Sequence, residues 1–340
     1  MPRSRPPRPR RSGPTDPRTV AQRVAEAVDQ SWHRAPPAVS SRIEVPVSVV
    51  AALSLLAPPD PDAAAELTRY LQAMPAQVFP GVLRDLWRNY VNLRPDLTPR
   101  AYPLFSWLFT DDVPDPVAEA AHHTAHAALD TGQLQVTGTD ARHEVDLLGT
   151  VLTELRSDSA RKGHAQVYTP PDLAQLVADL LAADRLTQDQ LTQDQLAEGV
   201  TVHEPAAGTG GMLRALAQSV RRTGRDPAAL RWVAVDIDEL AIACLAVNAH
   251  LWGLGPHVLL GVGNTLTDDW QTRAEGERRE CIELAASVRQ YKAVAGLLRT
   301  ANALLDDASA EQRPSAARSR EPGDRAATVA DDPEDRSGGG

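Results

Sequence analysis

Val202-His203-Glu204-Pro205-Ala206-Ala207-Gly208-Thr209-Gly210-Gly211-Met212-Leu213 is the stretch whose reading decides the fold. A short apolar run enters a glycine turn, and a helical pattern opens from Gly211 onward. Glycines let a backbone pass close to a ligand, and the first N–H groups of a helix are free to receive an anionic group. The turn ends Gly-Thr-Gly-Gly, so it fits poorly with the Gly-x-Gly-x-x-Gly dinucleotide fingerprint, and it lacks the Gly-Lys-Ser/Thr of a phosphate-binding P-loop.

Outward from this turn, Val200–His203, Trp232–Val235 and His257–Gly261 read as strands. Leu173–Ala183, Gly211–Arg222 and Glu239–Leu251 read as helices, giving an α/β unit with a parallel sheet over residues 163–270. The second strand ends Val235-Asp236-Ile237-Asp238, and an acidic residue there can accept both hydroxyls of a ribose. The third ends Gly263-Asn264-Thr265-Leu266, where an amide can meet an adenine edge and Leu266 can pack on the ring. Upstream, Gln166-Val167-Tyr168-Thr169-Pro170-Pro171 predicts a helix start, with Thr169 as N-cap and Pro170 at the first helical position. A direct repeat, Leu186-Thr-Gln-Asp-Gln followed by Leu191-Thr-Gln-Asp-Gln, reads as a loop duplication or helix extension.

Before the α/β unit, residues 20–160 predict a helical domain. Apolar residues recur three and four apart in Ala63–Met74, Pro80–Tyr90, Pro116–Leu129 and Glu144–Leu155, with Trp87, Tyr90, Phe105, Trp107 and Phe109 as core candidates. His122, His123 and His126 contain a metal-like i, i+4 pair but bring no carboxylate or third ligand, so they read as a solvated helix face and no metal is expected. Residues 1–18 carry six arginines and one aspartate among prolines and read as a disordered basic arm able to grip phosphates. Residues 273–305 predict an amphipathic helix, and 306–340 a disordered tail.

The whole chain, 340 residues at net charge -10, is not a polycation that coats nucleic acid. Two cysteines exclude a disulfide framework or a cysteine-rich zinc site. The longest apolar stretch, Ile43 to Ala57, contains Glu44 and Pro46 and is too short to span a bilayer, and no signal peptide is visible. A soluble, cytoplasmic protein is expected.

Taken together these pieces resemble the N-6 adenine-specific DNA methyltransferases, in the form of the modification subunits of type I restriction-modification systems. Five segments occur in that family's order. They are Asp146-Leu-Leu-Gly149, His164-Ala-Gln-Val-Tyr-Thr-Pro170, Glu204-Pro-Ala-Ala-Gly-Thr-Gly-Gly211, Val235-Asp-Ile-Asp238 running on to Asn248 and Gly253, and Gly263-Asn-Thr-Leu266. The resemblance implies a partial Rossmann-like methyltransferase sheet preceded by an all-helical N-terminal domain. It implies S-adenosyl-L-methionine as cofactor. Thr169, Pro170 and the loop Gly208, Thr209, Gly210 and Gly211 would hold the methionine end, with Glu204, Pro205 and Ala206 shaping the loop. Asp236 would bind ribose, and Ile237, Asn264 and Leu266 would surround adenine. Gly210→Asp is then expected to put bulk and charge where the methionine carboxylate sits. Ala207 and Asn264 depart from the family's usual Cys and Asp.

The family's reaction also needs Asn or Asp, then Pro, Pro and Phe or Tyr. The side chain and a proline carbonyl hold the exocyclic amine of adenine, and the aromatic ring stacks on the flipped base. None of the five asparagines precedes proline, and no Asp-Pro continues Pro-Phe or Pro-Tyr. After Trp270 no apolar β-run follows, so the sheet is expected to be incomplete and catalytic residues are assigned to none. Three readings stay open. The chain is a divergent or split enzyme acting on DNA whose catalytic half comes from another chain or an unrecognised segment, a cofactor-binding regulatory or partner subunit, or a generic Rossmann-like nucleotide binder.

Overall fold

The structure is a computed structural model that describes residues 16–58, 60–109, 112–156, 169–186, 200–267 and 269–311. Most of the basic arm, the segment 164–168, most of the direct repeat and the tail beyond 311 lie outside the described residues. By contacts the chain divides into Met1–Ala286 and Ser287–Gly340.

In the first unit, the described residues up to 155 are helical. They form α1 (Pro17–Trp32), α2 (Pro37–Ser40), α3 (Glu44–Ser54), α4 (Pro61–Gln72), α5 (Phe79–Leu93), α6 (Thr98–Phe105), α7 (Asp115–Asp130), α8 (Gln133–Thr137) and α9 (Leu147–Leu155). Proline at the first helical position starts α1, α2 and α4, where its missing N–H has no intrahelical partner to lose. Asp60 caps α4 by accepting from the Ala63 N–H at 2.8 Å. The stretch around Ile43 to Ala57 becomes α3, buried on every side from Val45 to Ser54, as a helix apolar all round must be. Its polar groups are answered: Gln133 Nε2 donates to the Val50 carbonyl at 2.7 Å and to Ser54 Oγ at 3.0 Å.

The α/β part follows as α10 (Pro171–Leu186), β1 (Thr201–Glu204), α11 (Gly211–Arg222), β2 (Arg231–Asp236), α12 (Glu239–Leu251), β3 (Val258–Val262) and α13 (Trp270–Glu311). The strands form one parallel sheet in the order β1-β2-β3. Glu204 pairs with Ala234, and Asp236 with Val262. Trp232 through Val235 are buried, the mark of a parallel strand covered on both faces. The strands, α11 and α12 fall within a residue of the expected positions. α10 starts at Pro171, two residues before the expected Leu173 and one after the Pro170 expected to follow a Thr169 cap, because the helix takes the second proline of the pair as its first residue. The boundaries of arm and tail also move: Pro17 already opens α1, and α13 continues to Glu311, there being no glycine or proline between Gly296 and Pro314. In the second unit, residues 287–311 continue this helix.

Helices and sheet share one hydrophobic core, running from Val20 in α1 through Trp87 and Leu148 to Trp232, Leu245 and Leu260. Tyr90 Oη in α5 donates to the Ala246 carbonyl in α12 at 2.9 Å, and Trp252 Nε1 donates to the Val145 carbonyl at 3.2 Å. A smaller cluster seats Trp270 and Ala274 of α13 against Val233 and Val235. Two side-chain expectations are corrected. Phe109 is 45% exposed, beside Phe105 and beneath Arg88, because it falls after the 3-10 turn at Ser106–Leu108. His122 is only 9% exposed, packs edge-on against Phe79 and shares a 3.1 Å ring-nitrogen hydrogen bond with His126, so it belongs to the core and not to a solvated face.

His143 carries a pH dependence. Burial, then the positive charges of Arg221 and Arg142, push its pKa from 6.5 down to about 4. A folded-state pKa below the unfolded value means that stability is lost as pH falls from about 6.5 toward 4. His143→Gln should therefore show a smaller fall in melting temperature between neutral pH and pH 4 than wild type does; an equal fall contradicts this.

Candidate functional site

All three strands run parallel, so their carboxyl ends and the turns that follow open on one side of the sheet, where α/β proteins bind ligands. A cavity of about 810 Å³ lies there. Its wall includes Thr169, Pro205, Ala206, Gly208, Thr209, Gly211, Asp236, Ile237, Asn264 and Leu266, so residues expected from separate motifs converge on one space. Pro170, Glu204 and Gly210 do not line it.

Each turn is fixed by its own hydrogen bonds and tied to its neighbour. Asp236 bridges two loops: one carboxylate oxygen accepts from the Gly208 N–H at 2.7 Å, the other from the Asp238 N–H at 2.9 Å. Each oxygen retains a second lone pair. The Ala207 N–H donates to the Val235 carbonyl and the Gly263 N–H to the Asp236 carbonyl, both at 3.0 Å. Thr265 Oγ donates to the Pro205 carbonyl at 2.7 Å. Asn264 Oδ1 accepts from the Leu266 N–H at 2.9 Å and so shapes its own turn. Glu204 shapes the first turn, accepting from the Ala206 N–H at 3.2 Å, and partial burial raises its pKa.

Gly208 and Gly210 both have positive φ, 52° and 98°. Gly210 is the residue that caps α11, and a Cβ there would run into Leu245 and Trp252. Its missing side chain thus serves the core, not the ligand, which corrects the expected effect of Gly210→Asp: the added atoms meet α12 before they meet the cavity. Gly210→Ala should cost roughly 2–3 kcal/mol, from left-handed strain and overpacking together. Denaturant unfolding measures it, and unchanged stability would refute the placement.

Two apolar side chains stand open at the rim, Leu266 at 91% exposure and Ile237 at 64%. Four carboxylates line the cavity, Glu144, Asp146, Glu154 and Asp236, against the guanidiniums of Arg18 and Arg214. Arg18 is paired with Asp172 at 2.7 Å, and Arg214 donates to the His143 carbonyl at 3.3 Å. The balance favours a positive ligand over a polyphosphate.

Supporting residues outside the expected set are Asp146, Asn248, Arg156 and Asp238. Asp146 and Asn248 hold the glycine loop. Arg156, at the end of α9, meets Asp238 through two hydrogen bonds, at 2.5 and 3.0 Å, with both side chains buried. Asp238 also caps α12 through the Leu240 and Ala241 N–H groups. Asp146, Asp238 and Asn248 stood in motifs already noted; Arg156 carried no signal in the sequence. Among the described residues, no cluster of three or more His, Cys, Asp or Glu is arranged to hold a metal. No described helix is long and apolar enough to cross a membrane.

Residues 144–284 match the family described as N-6 DNA Methylase. That interval contains Asp146 and the turns that follow β1, β2 and β3 at the cavity. Among solved structures the chain is similar to the methyltransferase subunit of a type I restriction-modification system from Streptococcus thermophilus, at 14% identity and a TM-score of 0.38. The similarity covers 76% of this chain and 61% of that one, so this chain spans less than two thirds of that subunit. No curated protein matches.

Proposed function

We propose that this chain binds S-adenosylmethionine in the cavity beyond the sheet and serves adenine-N6 methylation of DNA within a restriction-modification system. The observation that carries the reading is the convergence of the Gly208–Gly211 loop, Asp236 and the Asn264–Leu266 turn on one cavity whose charged lining is four carboxylates against two guanidiniums. Its volume, about 810 Å³, lies within the usual range of roughly 300–1,000 Å³ for small-molecule sites. The acidic balance suits a sulfonium and an ammonium, and suits NAD or ATP poorly.

Within it, Thr169 and the loop residues Gly208, Thr209 and Gly211 hold the methionine end, the remaining lone pairs of Asp236 accept the ribose hydroxyls, and Ile237, Asn264 and Leu266 surround adenine. When bound, the donor supplies an electrophilic methyl group. Residues 163–270 act as the donor-binding unit, and the helices of 20–160 support it, in a cytoplasmic protein.

Methyl transfer also needs the target amine held and the base stacked. The tetrapeptide that does this is not among these 340 residues. We therefore assign these 340 residues donor binding, with base presentation supplied from outside them. Tritiated-methyl transfer to unmethylated genomic DNA tests the division. The chain alone should give no label above background, and adding the product of the neighbouring gene should restore it. Robust labelling by the chain alone would overturn the division.

A further inference from the structure

The proposed donor site gives no ligand-binding role to the segment Asp146-Leu147-Leu148-Gly149, yet of the four carboxylates lining the cavity its first residue accepts the most hydrogen bonds. Asp146 Oδ1 accepts from the Gly149 N–H and from Asn248 Nδ2, each at 2.8 Å. Its Oδ2 accepts from the Thr209 hydroxyl at 2.5 Å. Asn248 donates also to the Thr209 carbonyl, at 2.9 Å. Thr209 is thus gripped at both its side chain and its backbone, from α9 on one side and α12 on the other. Gly149 is glycine for the same reason: a Cβ there would collide with the Asp146 carboxylate and the Thr209 hydroxyl.

We propose that Asp146 is the positioning residue of the ligand loop, acting through Thr209 and Asn248 to hold Gly208–Gly211 in its binding shape. A glycine-rich turn has many backbone conformations to lose, and a ligand that must order it binds more weakly. The clamp orders it beforehand. Helix α9 is thereby part of the binding apparatus, although its own backbone belongs to the helical half of the chain. The effect on ligand affinity rests on the S-adenosylmethionine reading; the effect on the loop does not.

Asp146→Ser separates the clamp from the helix cap that the same residue provides. Serine caps a helix about as well as aspartate. Its shorter side chain does not reach Thr209 and Asn248 while capping. In the full chain, Asp146→Ser should speed amide hydrogen exchange at residues 208–213 at least tenfold and leave the amides of Val151–Leu155 unchanged. It should also weaken S-adenosylhomocysteine binding at least tenfold. Thr209→Val should act similarly, and the double variant should bind little more weakly than either single one, since both remove one clamp. If Asp146→Ser exchanges and binds as wild type does, Asp146 is only a cap and the proposal fails. If exchange rises in the loop but wild type itself does not bind S-adenosylhomocysteine, the clamp stands and the ligand reading fails. A variant that unfolds is replaced by Thr209→Val, whose unchanged loop exchange would equally overturn the clamp.

Discussion

Asp236→Ala should reduce S-adenosylhomocysteine affinity by a factor on the order of a hundred to ten thousand, with most of the fold retained. Two hydrogen bonds from ribose hydroxyls to a charged carboxylate contribute about 1.5–3 kcal/mol each, and each 1.4 kcal/mol is tenfold in affinity. The substitution also frees the N–H groups of Gly208 and Asp238, which Asp236 holds at 2.7 and 2.9 Å. The loop after β1 then loses its tie to the loop after β2, so part of the loss comes from disorder of the site. Asp236→Asn separates the two contributions. One amide oxygen still accepts a loop N–H, but the amide nitrogen cannot accept a ribose hydroxyl. Its affinity should lie between those of wild type and alanine. Calorimetry at a temperature well below unfolding reads both variants. Wild-type affinity in Asp236→Ala would remove Asp236 from the site.

Arg156→Ala should destabilise the chain by about 3–5 kcal/mol, the usual cost of removing one member of a buried ion pair. Both side chains are almost wholly buried and meet through two hydrogen bonds. Truncation removes the guanidinium that meets the buried Asp238 carboxylate, and that same carboxylate caps α12. Arg156→Ala/Asp238→Ala removes the carboxylate as well. It should be less destabilised than the sum of the single variants, by a coupling readable in a double-mutant cycle. Urea unfolding measures all three. Additive single effects would mean that the pair carries no joint role. Asp238→Ala alone should also weaken ligand binding: it keeps the N–H that donates to Asp236, but loss of the cap and of the Arg156 contact loosens the backbone that aims that N–H.

The α/β segment was legible because its punctuation is local. Gly210 before α11 and Asp238 before α12 each mark a helix start within one residue, and the buried run Trp232–Val235 has no other use than a covered strand. The convergence of Thr169, Gly208, Asp236 and Asn264 followed from parallel topology, which brings all strand ends to one side. What stayed hidden depended on partners distant in sequence. Arg156 and Asp238 are separated by 82 positions, and nothing near Arg156 distinguishes it from a surface arginine. His122 looked solvent-facing because the side chain that buries it, Phe79, comes from a different helix. Gly210 looked like a ligand contact because the turn around it borders the cavity; only the packing of Leu245 and Trp252 shows which way its Cβ would point. The helical half was legible as helices, but its intimate packing on α12, through Tyr90 and Val145, was not.

The most direct test of the central claim is calorimetric titration of the full chain with S-adenosylmethionine, S-adenosylhomocysteine, ATP and NAD. On the proposed reading, a cavity whose charged lining is four carboxylates against two guanidiniums should take up the first two and reject the polyphosphates. Binding of ATP or NAD in their place, or no heat from either sulfur ligand, would contradict the account.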